Sequence, residues 1–91
     1  MLEFEWDEKK ASANEKKHGV AFQEAASVFG DKLAVTFPDP DHSAAEDRFL
    51  TFGMSQAGRL LVISHTDRGD NVRIISAREL TRPERTIYEE G

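Results

Sequence analysis

The chain contains no cysteine, which removes disulfides, thiolate metal sites and a cysteine nucleophile from consideration. It has no apolar run near the roughly 18 residues that a membrane-spanning helix requires, so no membrane association is expected. The opening MLEFEWDEKK is acidic and has no apolar central segment, so no signal peptide is expected and a cytoplasmic location is the default. GxSxG, P-loop and GxGxxG patterns are missing, which leaves serine-hydrolase and nucleotide-binding readings without support. Repeats, low-complexity tracts and linkers are missing too, and 91 residues make one domain, 1–91.

What the chain does have is charge, unevenly placed. It is 38% hydrophobic and 32% charged, the composition of a globular protein, with a net charge of -5. All five lysines lie at or before Lys32, and all seven arginines come later, from Arg48 to Arg85. The stretch NVRIISARELTRPER (71–85) holds four of them: Arg73, Arg78, Arg82 and Arg85. Arginine presents a planar fork that matches phosphate or carboxylate bidentately, whereas lysine is a flexible point charge. Net acidity argues against a broad surface that coats nucleic acid, but a small basic cleft depends only on nearby charge.

The element pattern is strand, two helices, four strands, helix. LEFEW alternates apolar and acidic residues, which predicts a short strand with Leu2, Phe4 and Trp6 on one face. Asp7 suits a helix N-cap, and the polar EKKASANEKKH runs to a stop at Gly19. FQEAASVF sets Phe22, Ala25, Ala26 and Phe29 at helical spacing, so Phe22 and Phe29 are expected in the core. KLAVTF, RFLTFGMS, LLVISH and VRIISA follow as strands, the last three as an antiparallel meander joined by QAGR and TDRGDN. Thr81 with Glu84 three residues on is a capping box that opens a C-terminal helix from about residue 82 to 89. The expected fold is α+β, with its helices against one face of a mainly antiparallel sheet.

Strand alternation puts Arg73 with Ile75 and Ala77, and Val72 with Ile74 and Ser76. Arg78 stands at the strand exit, where Arg85 and Tyr88 on the incoming helix could converge with it. The plainer alternative pairs Arg73 and Arg78 with Asp67, Asp70 or Glu79 at a solvated edge. None of His18, His42 and His65 forms a metal-binding pair, and DPDH (Asp39 to His42) lacks calcium-loop spacing, so no metal site is expected. His18 suits a helix C-terminus. His65, at the end of LLVISH, is a candidate acid or base.

These residues resemble the BrnT family, the toxin half of BrnT/BrnA toxin–antitoxin pairs in bacteria. The likeness runs through FEWD (Phe4 to Asp7), NEKKHGVAFQEAASVF (Asn14 to Phe29), EDR (Glu46 to Arg48), RIISAREL (Arg73 to Leu80) and ERTIYE (Glu84 to Glu89). Each piece alone is weak, and their order and spacing carry the match. Ala21 stands where a small hydroxyl that could cap the second helix is common, and Leu80 where alanine is common. The resemblance implies a RelE-like fold, ribonuclease activity that blocks translation, and neutralisation by a BrnA-type antitoxin with a ribbon-helix-helix domain, through which alone operator DNA would be bound.

On that resemblance the arginines become a clamp for RNA phosphate. The expected chemistry is metal-independent and cofactor-free: a ribose 2′-hydroxyl attacks the adjacent phosphorus, giving a 2′,3′-cyclic phosphate and a 5′-hydroxyl. Such a reaction needs a base, an acid and cations around the phosphorus. Arg73 and Arg78 are the expected cations and His65 or Asp67 the base, with Arg85, Tyr88 and Arg48 binding phosphate or base. The competing expectation is a non-catalytic module that holds an antitoxin and tunes operator binding.

Overall fold

The computed structural model describes residues 2–39 and 47–91, so His42 and most of the DPDH loop lie outside the described residues. The element order is β1 (Glu3–Glu5), α1 (Glu8–His18), α2 (Phe22–Ser27), a single 3₁₀ turn (Val28–Gly30), β2 (Val35–Pro38), β3 (Arg48–Met54), β4 (Leu60–Arg68), β5 (Asn71–Glu79) and α3 (Arg82–Glu90). No helix among the described residues is long and apolar enough to cross a membrane.

Asp7 caps α1 by accepting the Lys9 and Lys10 amides at 2.8 and 3.2 Å, and Gly19 closes it in the left-handed region at φ 70°. This helix has little apolar surface to bury. A buried side chain, Asn14, ties it down instead. Its amide donates to the Val20 carbonyl at 2.9 Å and the Ala77 carbonyl at 2.8 Å, and its carbonyl accepts the Ala77 amide at 3.1 Å. Asn14 thus continues the β1 edge of β5, where β1 itself pairs only with residues 71–73. Without it, a buried backbone amide and carbonyl would lose their partners, which costs about 1–3 kcal/mol each. α2 begins at Ala21, which offers no side-chain cap, and the helix is held by its apolar face, with Phe22 and Ala25 fully buried.

The five strands lie in the order β1-β5-β4-β3-β2. β2, β3, β4 and β5 pair antiparallel, and β1 lies parallel to β5. The β4–β5 hairpin is tighter than TDRGDN suggests: both strands extend into that segment, and the turn is reduced to Gly69 (φ 60°) and Asp70. A glycine in the left-handed region permits the two-residue reversal.

The helices divide between the two faces, which corrects the expectation that all three share one. Val20, Phe22, Ala25 and Val28 pack with Leu61, Ile63, Ile74 and Ala77 on the first face, supported by Trp6, Ala11 and a half-buried Phe29. α3 sits on the second face, where Tyr88 packs with Phe52, Val62 and Leu80. Neighbouring strand residues point to opposite sides, so Leu61 and Ile63 serve one layer while Val62 serves the other. The strand-face assignment within β5 is corrected too. Ser64 pairs with Ser76 but His65 with Ile74, so Ile75 is an extra residue, a β-bulge. The bulge reverses the alternation, and Ala77 joins Ile74 on the helix-covered first face.

Candidate active site

The bulge also decides which arginines share a surface. Arg73 pairs across the sheet with Thr66, and Arg78 with Val62. Thr66 and Val62 lie four residues apart on a regularly alternating strand and point the same way. Arg73 and Arg78 therefore stand on the second face, ~13 Å apart along the strand at ~3.3 Å per residue. Five residues of unbroken alternation would have set them on opposite faces. Arg48 also pairs with Thr66, and Glu5 with Arg73, so Arg48, Thr66, Arg73 and Glu5 form one row across four strands. Arg68, two residues beyond Thr66, adds a further cation to that end.

Each arginine has a different state of engagement. Arg73 gives one donor, Nη1, to Glu5 Oε2 at 2.8 Å, and Asn71 holds the other Glu5 oxygen at 3.2 Å. These hydrogen bonds, the Arg73 one first, together with the charges of Arg73 and Arg68, hold the Glu5 carboxyl below its ordinary value despite some desolvation. Arg78 grips Glu84 with both Nη atoms, at 2.8 and 2.9 Å, and Nη1 also reaches the Glu79 carbonyl at 3.2 Å. That grip pushes the Glu84 carboxyl down to about 2. The pairs expected with Asp67, Asp70 or the Glu79 carboxylate do not form at Arg73 or Arg78 among the described residues; the partners are Glu5 and Glu84, on the same face. Both arginines keep donors without a protein partner among the described residues: Nε and Nη2 of Arg73, and Nε of Arg78. Between them lie the half-buried hydroxyls of Ser64 and Ser76.

The remaining expected site residues separate. Arg85 is exposed on α3. Tyr88 points its hydroxyl at Asp31 Oδ2, 2.8 Å away, which raises the phenol's pKa and fastens α3 to the segment after the 3₁₀ turn. His65 is 5% exposed and belongs to the first face. Its ring meets Phe29 edge-on at 4.9 Å and stacks near Phe49 at 5.9 Å. Its Nε2 lies 2.7 Å from Thr51 Oγ1, while Nδ1 is buried without a hydrogen-bond partner among the described residues. Burial lowers its pKa, partly countered by the charge of Asp67. Asp67 itself is exposed, with Cα partner Val72, so alternation turns it away from the arginine face. The structure brings Arg48, Arg73 and Arg78 to one side and leaves His65 in the layer beneath the helices.

Sequence reasoning passed over Glu5, Arg68, Ser64 and Ser76. Arg68 carried the one available signal, an arginine at the turn of a predicted hairpin. Glu5 lies 68 residues from Arg73 in the chain and gave none.

Comparison with known proteins places the chain by family and by fold. The chain is similar to the Brucella abortus ribonuclease toxin BrnT, known from a 1.1 Å crystal structure, with a TM-score of 0.71 at 22% identity over 90% of this chain and 100% of that one. No curated protein matches it. Residues 6–84 match the family described as "Ribonuclease toxin, BrnT, of type II toxin-antitoxin system". With that match covering most of its length, the chain belongs to the BrnT family of ribonuclease toxins.

Proposed function

We propose that this ribonuclease toxin cleaves RNA on the second face of its sheet by metal-independent transesterification, and so inhibits translation. The observation that carries the reading is the bulge-dependent placement of Arg73 and Arg78 on one face, each with guanidinium donors left over. In this reaction the 2′-oxygen bonds to phosphorus, the P–O5′ bond breaks, and a 2′,3′-cyclic phosphate and a 5′-hydroxyl result. The 2′-hydroxyl proton leaves to a base and the 5′-oxygen gains one. The arginines compensate charge on the pentacoordinate phosphorus, the task that cationic clamps perform in phosphoryl transfer. Arg48 and Arg85 extend phosphate contacts to either side. Of the two expected bases, Asp67 is exposed but turned to the opposite side of β4 from the arginines, so the 2′-hydroxyl proton passes to solvent water on the arginine face. His65 is enclosed and orders the first-face core instead.

Membership in a ribonuclease family sets aside the non-catalytic reading and implies a cognate antitoxin and an RNA substrate. We assign that antitoxin to the BrnA type with a ribbon-helix-helix domain, covering the arginine face and alone contacting operator DNA. A cytoplasmic site of action follows from this role. The test is incubation of purified protein with bulk RNA in EDTA, followed by analysis of product ends. Cyclic phosphate ends that vanish with Arg78→Ala support the proposal. Cleavage that requires added metal, or that persists in Arg78→Ala, overturns it.

A further inference from the structure

We infer that Glu84 is a positioning residue for Arg78, fixing which edge of its guanidinium faces the RNA phosphate. The inference rests on the reading of the arginine face as the RNA site. A guanidinium has a terminal edge, Nη1 with Nη2, and a side edge, Nε with Nη2. Glu84 occupies the terminal edge through both oxygens, at 2.8 and 2.9 Å. The bond from Nη1 to the Glu79 carbonyl, 3.2 Å, fixes the plane from a third point. What remains is the side edge, a second two-donor fork of the shape that binds phosphate.

Glu84 is itself held. Its Oε1 accepts the Thr81 amide at 2.9 Å, and its own amide reaches Thr81 Oγ1 at 3.4 Å, which makes it the return half of the α3 capping box. One turn later Tyr88 anchors the helix to Asp31 at 2.8 Å. The carboxylate cannot swing without opening the helix start, so Arg78 takes its orientation from a docked helix. Among the described residues, Arg73 has a single bond to Glu5 and no such frame.

The pairing has a kinetic signature. A carboxylate beside Arg78 partly cancels its attraction for RNA in the ground state, while orientation serves the transition state. Removing the carboxylate should therefore lower kcat without raising KM, since misplacement of about 1 Å at a reacting centre can cost about 100-fold. In Glu84→Gln the amide oxygen can still accept the Thr81 amide, but the charge and the second acceptor for Arg78 are gone. Single-turnover and steady-state cleavage of a defined RNA should show kcat per folded molecule reduced at least about 10-fold, KM equal or lower, and a melting midpoint lowered by only about 4–8 °C. Glu84→Asp, which keeps the charge but shortens the reach, should also lose kcat and serves if the glutamine variant folds poorly. Thr81→Ala removes only the Oγ1 half of the cap, since the Thr81 backbone amide still reaches Glu84, so its kcat should fall less than in Glu84→Gln. Wild-type or raised kcat in Glu84→Gln, or equal kcat losses in Thr81→Ala and Glu84→Gln, overturns the inference. Full cleavage by Arg78→Ala in the same assay defeats the reading of the arginine face itself, a different result from failure at Glu84 alone.

Discussion

Arg59 and Arg78 both sit in bidentate pairs with glutamate, yet they do different work. Arg59, just before β4, turns its side edge to Glu24, with Nε at 2.9 Å from Oε2 and Nη2 on Oε1. Nη2 also reaches the Gly19 carbonyl at 3.1 Å, and Nη1 lies 3.7 Å from Glu79. Glu24 further accepts Ser55 Oγ at 2.7 Å, and Ser27 accepts the Gln56 amide at 2.9 Å. This network clips the β3–β4 turn onto α2 and leaves Arg59 no free fork. Arg78 gives up only its terminal edge. The lesson is that an ion pair does not by itself retire an arginine from function; the edge that remains decides.

Arg78 should show the largest effect. Arg78→Ala is expected to reduce kcat/KM at least about 100-fold, the scale of losing one preorganised donor at a charged transition state. Arg78→Lys keeps the charge but has no fork, and it should recover little of the loss. Cleavage assays at matched folded concentration check both. A lysine variant close to the parent would reduce Arg78 to general electrostatics and erase the contrast with Arg59.

Arg59 should behave in the opposite way. Arg59→Ala leaves Glu24, whose side chain is 18% exposed, without its main partner, and is expected to cost about 1–3 kcal/mol of stability. Cleavage per folded molecule should hold. Urea unfolding read beside cleavage settles the point, and lost activity at full stability would make Arg59 part of the site.

His65 offers a third comparison, between the buried layer and the arginine face. Its folded pKa lies below the ordinary 6.5, with burial the leading cause. A group with a depressed folded pKa contributes stability that is present above its unfolded value and lost as pH falls through the folded one. Unfolding midpoints should therefore drop as pH is lowered beneath about 6.5, and His65→Gln should flatten that slope. Any loss of cleavage in His65→Gln should track the loss of folded protein. A pH–rate limb that disappears without loss of fold would instead make His65 the base.

Local chemistry made much of the fold legible in the sequence. Asp7, Gly19 and the Thr81–Glu84 box mark helix ends through bonds within a few residues, and the meander follows from alternation and short turns. What stayed hidden depends on distant partners. Asn14 serves a backbone 63 residues away, and β1 lies parallel to the last strand. The bulge at Ile75 is invisible to a pattern that assumes strict alternation, yet it brings Arg73 and Arg78 to one face. His65 reads as an exposed strand end because LLVISH stops there, whereas β4 runs on to Arg68 and the ring lies under Phe29.

The smallest expected effect is the acid sensitivity of the Arg78–Glu84 pair, and it tests whether that pair stabilises as well as orients. Glu84 has a folded value of about 2 against an ordinary 4.5, with the Arg78 hydrogen bonds the leading cause. A depressed carboxylate contributes stability that is present above about pH 4.5 and lost as pH falls toward about 2. The Arg78 side chain is 42% exposed, so solvent screens the pair, and about 1 kcal/mol is the contribution to expect in place of the full shift. Comparing Glu84→Gln with the parent by urea unfolding at pH 7 and pH 3 isolates it. The variant should be weaker by about that amount at pH 7, and the gap should narrow at pH 3. A gap equal at both values would mean that the carboxylate charge contributes nothing to stability and that the loss comes from the capping geometry. Arg78 would then resemble Arg59 only in outline, its pair serving orientation alone.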